Sequence, residues 1–225
     1  MFCFYLNKTM GILRNGSKLL RFHKCSIINS CSQRNLSCFP TNHQRSVYIS
    51  ESQDVLTNLA FEDWLYRNEN FDNKNLLLLW CNKPCVVIGR HQNPWMEANL
   101  NYLVRNKITL VRRNSGGGTV YHDLGNLNCT FFTSREAYNR KRNLELICRV
   151  LRSNWDVDVR VSPREDIVLN KSLKISGTAS KLANKTAYHH CTLLVNVDSS
   201  RLDQTLQAPN VSISTSFSCN SDQCY

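Results

Sequence analysis

No acidic residue occurs before Glu51. Seven Lys or Arg (Lys8, Arg14, Lys18, Arg21, Lys24, Arg34 and Arg45) fall in the first 50 of the 225 residues, so the formal net charge of +11 belongs mostly to that leader. The rest of the chain holds 21 basic against 17 acidic side chains, only +4. Charge placed this way does not mark the folded part as a nucleic-acid binder, and the arm lacks the aromatic and arginine repeats of RNA-binding segments. An acid-free, Arg- and Ser-containing leader has the composition of a mitochondrial presequence, so the expected location is the mitochondrial matrix. Residues 1–45 are then a disordered targeting leader in which Lys18 to Lys24 can form a short basic amphipathic helix, and Met10 is a second candidate start. The alternative is a disordered basic arm for RNA or an acidic surface.

Long apolar runs are missing as well. Nothing approaches the roughly 20 apolar residues that cross a bilayer, and no apolar core suits a secretory signal. No C-x-x-C pair exists among the eleven cysteines; Cys81 and Cys85 stand four apart, which excludes zinc-ribbon spacing. Cys129, Cys148 and Cys191 sit in apolar runs and read as reduced core residues, whereas Cys219 and Cys224 lie in a polar tail. Glycine is scarce, with eight in all, yet three are consecutive at Gly116, Gly117 and Gly118. Thr119, Val120 and Tyr121 follow them, so the Lys-Ser/Thr ending of a phosphate loop is absent. The G-x-G-x-x-G dinucleotide fingerprint is absent too.

What surrounds the glycines is the string RRNSGGGTVYHD, Arg112 to Asp123. Side-chain-free backbone lets a ligand approach the main chain, and the arginines add forked donors suited to carboxylate or phosphate oxygens. The residues alone leave two readings open, a grip on an elongated, partly anionic small molecule or a tight glycine-rich hairpin.

The periodicities predict an α+β chain. Strands are expected at Ser46–Ser50, Leu76–Trp80, Cys85–Ile88, Ile108–Val111, Gly118–Tyr121, Asn126–Phe132, Val157–Val161, Asp166–Leu169, Leu173–Ser176 and Thr192–Val197. Leu76–Trp80 and Cys85–Ile88 read as buried strands joined by a turn at Asn82-Lys83-Pro84. Helices are expected at Asp54–Arg67, with Leu56, Leu59, Ala60 and Trp64 at helical spacing and Ser52 or Asp54 as cap, near Ala98–Arg105, and at Asn143–Ser153, with Leu144, Ile147, Cys148 and Leu151 on one face.

Five polar stretches interrupt the apolar segments, the places where small-molecule sites collect. They are Gly89–Trp95, the glycine loop continuing to Asn126, Arg164–Asp166, Lys174–Ala179 and His189–Thr192. Lys174 stands out, because Ser176, Gly177 and Thr178 beside it are small enough to admit a ligand. Its compact cation suits an oxygen whose charge grows in a transition state; a solvated strand-end lysine is the plainer reading. His189 and His190 lack further ligands at usable spacing and read as structural or as support behind a site. His122 and Asp123 are adjacent on a strand and so face opposite ways, which favours structural hydrogen bonding. No metal site is expected.

The strings NLAFEDWL (Asn58–Leu65), VVIGRHQNPW (Val86–Trp95), RRNSGGGTVYHDLGN (Arg112–Asn126), KISGTASK (Lys174–Lys181) and AYHHCTLL (Ala187–Leu194) occur in one order. Together they resemble the lipoate–protein ligase A family, and within it the animal mitochondrial lipoyltransferases, over roughly Val47 to Ala208. The resemblance implies a mixed β-sheet flanked by helices, of the biotin/lipoate protein ligase catalytic-domain type and distantly like class II aminoacyl-tRNA synthetases, in residues 46–208. It implies lipoyl-AMP as substrate in a bent tunnel. By position Arg113, Gly116, Gly117, Gly118, Thr119, Val120 and Tyr121 would line the adenylate and lipoyl path. Arg164, Thr192 and the catalytic Lys174 would meet the mixed anhydride, with Ser176 and Gly177 alongside. Arg90, Gln92, Asn93, Pro94 and Trp95 would shape the opposite wall.

The implied reaction is transfer of lipoyl, or a related acyl group, to an acceptor lysine on lipoyl domains of 2-oxo acid dehydrogenase E2 subunits and on the glycine-cleavage carrier protein, by a monomer. Alternatives are a ligase that also activates lipoate with ATP and Mg, a non-catalytic product that binds lipoyl-AMP or lipoyl domains, and an octanoyl relay through a thioester on Cys129. Family members continue past the equivalent of Ala208 with a segment that folds over the adenylate and a smaller C-terminal domain. Residues 209–225, serine-rich and without apolar periodicity, read instead as a divergent tail of a truncated form.

Overall fold

The computed structural model describes residues 22–26, 44–170, 172–183 and 185–206. Its largest sheet has six strands in the order β1 (Phe22–Ser26), β2 (Gln44–Ser50), β3 (Lys74–Trp80), β7 (Asn126–Ser134), β12 (Thr186–Leu194) and β11 (Thr178–Leu182). Only β2 and β3 run parallel there, joined across the face by helix α1 (Val55–Asn68). A smaller sheet, β5 (Thr109–Arg112), β4 (Cys85–Ile88) and β6 (Val120–His122), is also mixed, with helices α2 (Pro94–Glu97) and α3 (Leu100–Arg105) between its parallel pair β4 and β5. The third sheet, β10 (Leu173–Lys174), β9 (Ile167–Leu169) and β8 (Val159–Val161), is antiparallel. Helices α4 (Arg140–Trp155) and α5 (Ser199–Leu206) complete the fold. These are mixed sheets flanked by helices, as expected.

The central strands of the large sheet, β3 and β7, are covered on both faces. Leu76, Leu78 and Trp80 of β3 pack with Leu65, Phe71, Phe132 and Tyr188 on the α1 side. Leu79 lies on the other side with Leu144, Ile147 and Cys148 of α4, and Leu77 packs against that cluster. A strand covered on both faces reads as an unbroken apolar run, which is why β3 was legible as a strand but not as a sheet position. The expected turn after Trp80 does not make a hairpin: β3 and β4 belong to different sheets, and the turn carries the chain from one to the other.

Helix α1 starts where Asp54 caps it, Oδ2 accepting from Thr57 N at 2.8 Å and Thr57 Oγ1 at 2.7 Å. Its buried face differs from the expected one. Leu56 and Trp64 are 60% and 53% exposed, while Val55, Asn58, Glu62 and Leu65 point inward. Asn58 and Glu62 hide the true stripe from a hydrophobicity count, because each finds polar partners in the interior; Asn58 Nδ2 donates to Ser52 O, Cys81 O and Asn82 Oδ1. The expected face of α4 is correct in Leu144, Ile147 and Cys148, all buried.

Three further differences concern the ends of the chain. The strand expected at Thr192–Val197 is instead β12, beginning at Thr186, because its polar Thr186, His189 and His190 are carried by neighbouring strands on both sides. Strand β11 and helix α5 were not foreseen. Phe22–Ser26 pairs antiparallel with β2, so residues 22–24 of the expected leader helix are extended. The remainder of that leader and the 209–225 tail lie outside the described residues.

Cys81, Cys85, Cys129, Cys148 and Cys191 are free and buried, as expected of core thiols. His189 and His122 are buried as well, and burial drives both pKa values from 6.5 down to about 3. The unfolded chain therefore takes up these two protons first as pH falls. Their contribution to stability is complete above pH 6.5 and is lost as pH falls toward 3. Urea midpoints measured between pH 7 and pH 4.5 should fall accordingly, and His189→Gln should reduce the slope; an unchanged slope in that variant would contradict the assignment.

Candidate functional site

Gly89 ends β4 where two loops meet. A Cβ built there would stand 2.1 Å from Gly117 O, so only glycine lets the Gly89–Trp95 segment touch the glycine loop. Gly117 itself has φ +87°, a left-handed backbone that favours glycine. The contact is tied by Arg90 N donating to Ser115 O at 2.9 Å and by Gln92 Oε1, which accepts from Gly89 N at 2.8 Å and Thr119 Oγ1 at 2.9 Å.

The two arginines preceding the loop build it. Arg113 is buried, with Nη2 donating to Gly116 O at 2.7 Å and Gly118 O at 2.6 Å, Nη1 to Val87 O at 3.1 Å and Nε to Ser115 Oγ at 3.0 Å. Arg112 Nη1 lies within 3.1 Å of the carbonyls of Gly89, Arg90 and Gln92. The forked donors of both arginines thus mostly hold backbone carbonyls; Arg113 is buried and must satisfy its N–H groups nearby, while Arg112 does so at the surface. Burial also lowers the Arg113 pKa from its ordinary value, opposed by the carboxylate of Glu62.

Beside this loop lies a cavity of about 220 Å³. One part of its wall is apolar and aromatic, formed by Leu59, Trp80, Val87 and Val120. Lys174 and Asp166 form another part, with Nζ and Oδ2 3.0 Å apart. The Lys174 side chain is 59% exposed against 16% for Asp166, which puts the cation at the open side. The segment that follows Lys174 is pinned: Ile167 N donates to Ser176 Oγ at 2.7 Å, Ile175 N to Ile167 O at 2.9 Å, and Gly177 N to Thr192 Oγ1 at 2.9 Å. His122 also lines the cavity. Asn82 Nδ2 donates to its Nδ1 at 3.0 Å, which leaves the ring hydrogen on Nε2, and Nε2 has no partner among the described residues.

The cavity brings together Arg113, Gly118, Thr119, Val120, Lys174, Gly177 and Thr192 of the predicted set. Gln92 reaches it only through Thr119, and Ser176 supports it from behind. Gly116 and Gly117 shape the loop without lining the cavity. Tyr121 points to the other face of its sheet, into the cluster with Val86, Ile88 and Leu103. Arg164 is exposed in the turn before β9, and Arg90 and Trp95 are exposed on the Gly89–Trp95 segment. Asn93 caps α2, its Oδ1 accepting from Trp95 N.

Sequence reasoning reached Asp166 and His190 only as members of polar stretches, and passed over Asn128, Trp80 and Glu62 as site residues. An Asn–Glu pair four residues apart on an otherwise apolar helical stripe was the available signal for Glu62. Of the adjacent histidines, His190 lines the cavity while His189 faces α4, with Asn143 Nδ2 3.3 Å from its Nδ1. Among the described residues no three His, Cys, Asp or Glu are grouped to hold a metal ion, and no helix is long and apolar enough to cross a membrane.

Residues 54–223 match the lipoyl protein ligase A/B catalytic domain. The chain belongs to that family. Human mitochondrial lipoyl amidotransferase LIPT1 is 52% identical over 161 residues, covering 71% of this chain and 43% of the human protein. Plasmodium falciparum LipL1, solved in complex with lipoate, superposes with a TM-score of 0.65 at 31% identity, covering 74% of this chain and 52% of that one. The bipartite lipoate protein ligase of Thermoplasma acidophilum, described with its E2 lipoyl domain, gives 0.61 at 28% identity over 68% of this chain and 62% of that one. The chain thus spans less than half the length of the curated ligase-family relatives it matches.

Proposed function

We propose that this chain is a mitochondrial lipoyltransferase, moving a lipoyl group from lipoyl-AMP to the acceptor lysine of lipoyl domains in E2 subunits and in the glycine-cleavage carrier protein. The observation that carries it is the division of one cavity, with an apolar aromatic wall at Trp80, Leu59 and Val87 for the acyl chain and Lys174 at the open side for oxygens. The names of the human and Plasmodium relatives, and lipoate in the latter's structure, support the substrate. The lipoyl domain beside the Thermoplasma ligase supports the acceptor, and the human relative's name supports the mitochondrial location, with the matrix as the compartment.

Acyl-adenylate carries its own leaving group, so the protein's task is placement and electrostatics. The acceptor amine attacks the lipoyl carbonyl carbon and the C–N bond forms. The bond from that carbon to the AMP oxygen breaks, AMP leaves with the electron pair, and the nitrogen loses a proton. Lys174 faces the carbonyl and phosphate oxygens, where negative charge grows. Asp166, 3.0 Å from it, holds the ammonium in place before the donor arrives. Thr192 Oγ1, fixed by Gly177 N at 2.9 Å, completes this end of the cavity.

Activation of free lipoate by ATP is the second half-reaction to test. Among the described residues Asp166 is the one carboxylate lining the cavity, and it is engaged by Lys174, so these residues do not form a magnesium centre. Incubating the chain and an apo lipoyl domain with synthetic lipoyl-AMP should add a lipoyl mass to the acceptor lysine. An unmodified acceptor, with protein shown folded by circular dichroism, would overturn the proposal. Running lipoate with MgATP in parallel separates transferase from ligase.

A thioester relay on Cys129 is disfavoured by its surroundings. Its neighbour Cys191 and its burial raise the thiol pKa well above 9.0, which keeps it protonated and unreactive. Cys129→Ala should leave the transfer rate constant unchanged and cost about 1 kcal/mol of stability for the small cavity. A rate loss without unfolding would restore the relay.

A further inference from the structure

The geometry points to Glu62, His190 and Ser115 as a positioning relay that fixes the glycine loop from behind, through Arg113. The inference rests on the reading that this loop orients the acyl-adenylate. Two lines of donors converge on one carboxylate oxygen. In the first, Trp80 Nε1–H donates to Thr130 Oγ1 at 3.1 Å, and the Thr130 hydroxyl donates to Glu62 Oε1 at 2.7 Å. In the second, Arg113 Nε–H donates to Ser115 Oγ at 3.0 Å, and Ser115 Oγ lies 2.9 Å from His190 Nε2. His190 Nδ1 then lies 3.0 Å from the same Glu62 Oε1. One assignment satisfies every group: the Ser115 hydroxyl donates to Nε2, and His190 Nδ1–H donates to Glu62.

Arg113 is the member that touches the loop, holding Gly116 O and Gly118 O. Its guanidinium is buried and Glu62 is a charge that favours it. Helix α1 therefore supplies both the counter-charge and the last acceptor for a loop some fifty residues away in sequence. A buried network satisfied throughout selects one geometry, whereas a half-satisfied one loses more than a single bond.

The order serine, histidine, carboxylate also occurs where serine is a nucleophile. Here Ser115 is 1% exposed and its oxygen already accepts from Arg113, so it has no face for an electrophile. Its role is to pass orientation from His190 to Arg113.

The test compares Ser115→Ala, Glu62→Ala, Glu62→Gln and the double variant S115A/E62A with the unaltered chain. Hydrogen–deuterium exchange on the ligand-free proteins reads the loop directly. The amides that tie the loop, Gly89 N to Gln92 Oε1, Arg90 N to Ser115 O and Arg113 N to Ile88 O, should exchange about ten-fold faster in Ser115→Ala and Glu62→Ala, with the amides of β8 and β9 unaffected. Glu62→Gln, which keeps an acceptor, should recover part of the protection. The double variant should exchange no faster than the worse single one, because both break the same line. Per folded molecule, lipoyl-AMP affinity and the single-turnover rate should each fall about ten-fold in the alanine variants. Additive effects in the double variant, unchanged loop exchange, or labelling of Ser115 by a fluorophosphonate would overturn the relay. Should the unaltered chain not turn over lipoyl-AMP while the exchange results hold, the transferase reading fails and the relay stands.

Discussion

Lys174→Ala is expected to abolish lipoyl transfer while leaving the fold intact. The side chain is mostly solvent-facing and, among the described residues, is paired with Asp166 at 3.0 Å. Removing it therefore opens no core cavity, and an exposed ion pair contributes little to stability, about 0–1 kcal/mol. Its value is to the reaction. The cation stands where charge builds on the carbonyl and phosphate oxygens, and losing such a donor typically costs about 10²–10³ in rate. Single-turnover transfer from lipoyl-AMP, with the melting temperature measured alongside, distinguishes the outcomes. A variant that is folded and still active would remove Lys174 from the mechanism. Lys174→Arg is informative in addition: a planar fork cannot replace a compact ammonium at a site sized for it, so only partial recovery is expected.

Gly89→Ala should have a large structural effect for a single added methyl. The new Cβ would lie 2.1 Å from Gly117 O and 3.1 Å from Gly117 C. Both obstacles are backbone, so no rotamer change relieves the clash; one loop must move. The expected cost is about 3 kcal/mol or more, a loss of roughly 6–12 °C in melting temperature for a domain of this size. Displacing Gly117 also disturbs the carbonyls on either side that Arg113 holds, so lipoyl-AMP affinity should fall with stability. Gly118→Ala is the control, since a Cβ there meets nothing within 4 Å. Equal melting temperatures for the two alanine variants would show that the loops are not in contact.

Much of this architecture was legible because it depends on local pattern. The Asp54 cap, the apolar face of α4 and the glycine loop between β5 and β6 all follow from a few neighbouring residues. What could not be read was which groups meet across the fold. The inward stripe of α1 carries Asn58 and Glu62, and their burial is tolerable only because Asn82, Thr130 and His190 arrive from distant strands. Arg113 looked like a ligand clamp for the same reason: whether a guanidinium faces a substrate or its own chain's carbonyls depends on loop closure, which spacing does not reveal. Lys174 was legible from its small neighbours and Asp166 as the end of a polar stretch, but not that the two meet.

Strand β12 pairs with β7 along its whole length and with β11 over half of it. Side chains along it alternate, so His189 enters the α4 core while His190 meets the cavity. Deleting one residue from the β11–β12 turn would therefore not simply shorten a loop. A one-residue slip in register would exchange the two faces, sending the Glu62 partner into an apolar core and a core histidine into the cavity. The reading frame of this single strand is thus a frame for chemistry as well as for packing. Changes in the number of residues between Leu182 and Thr186 should be far less tolerated than changes of residue type there.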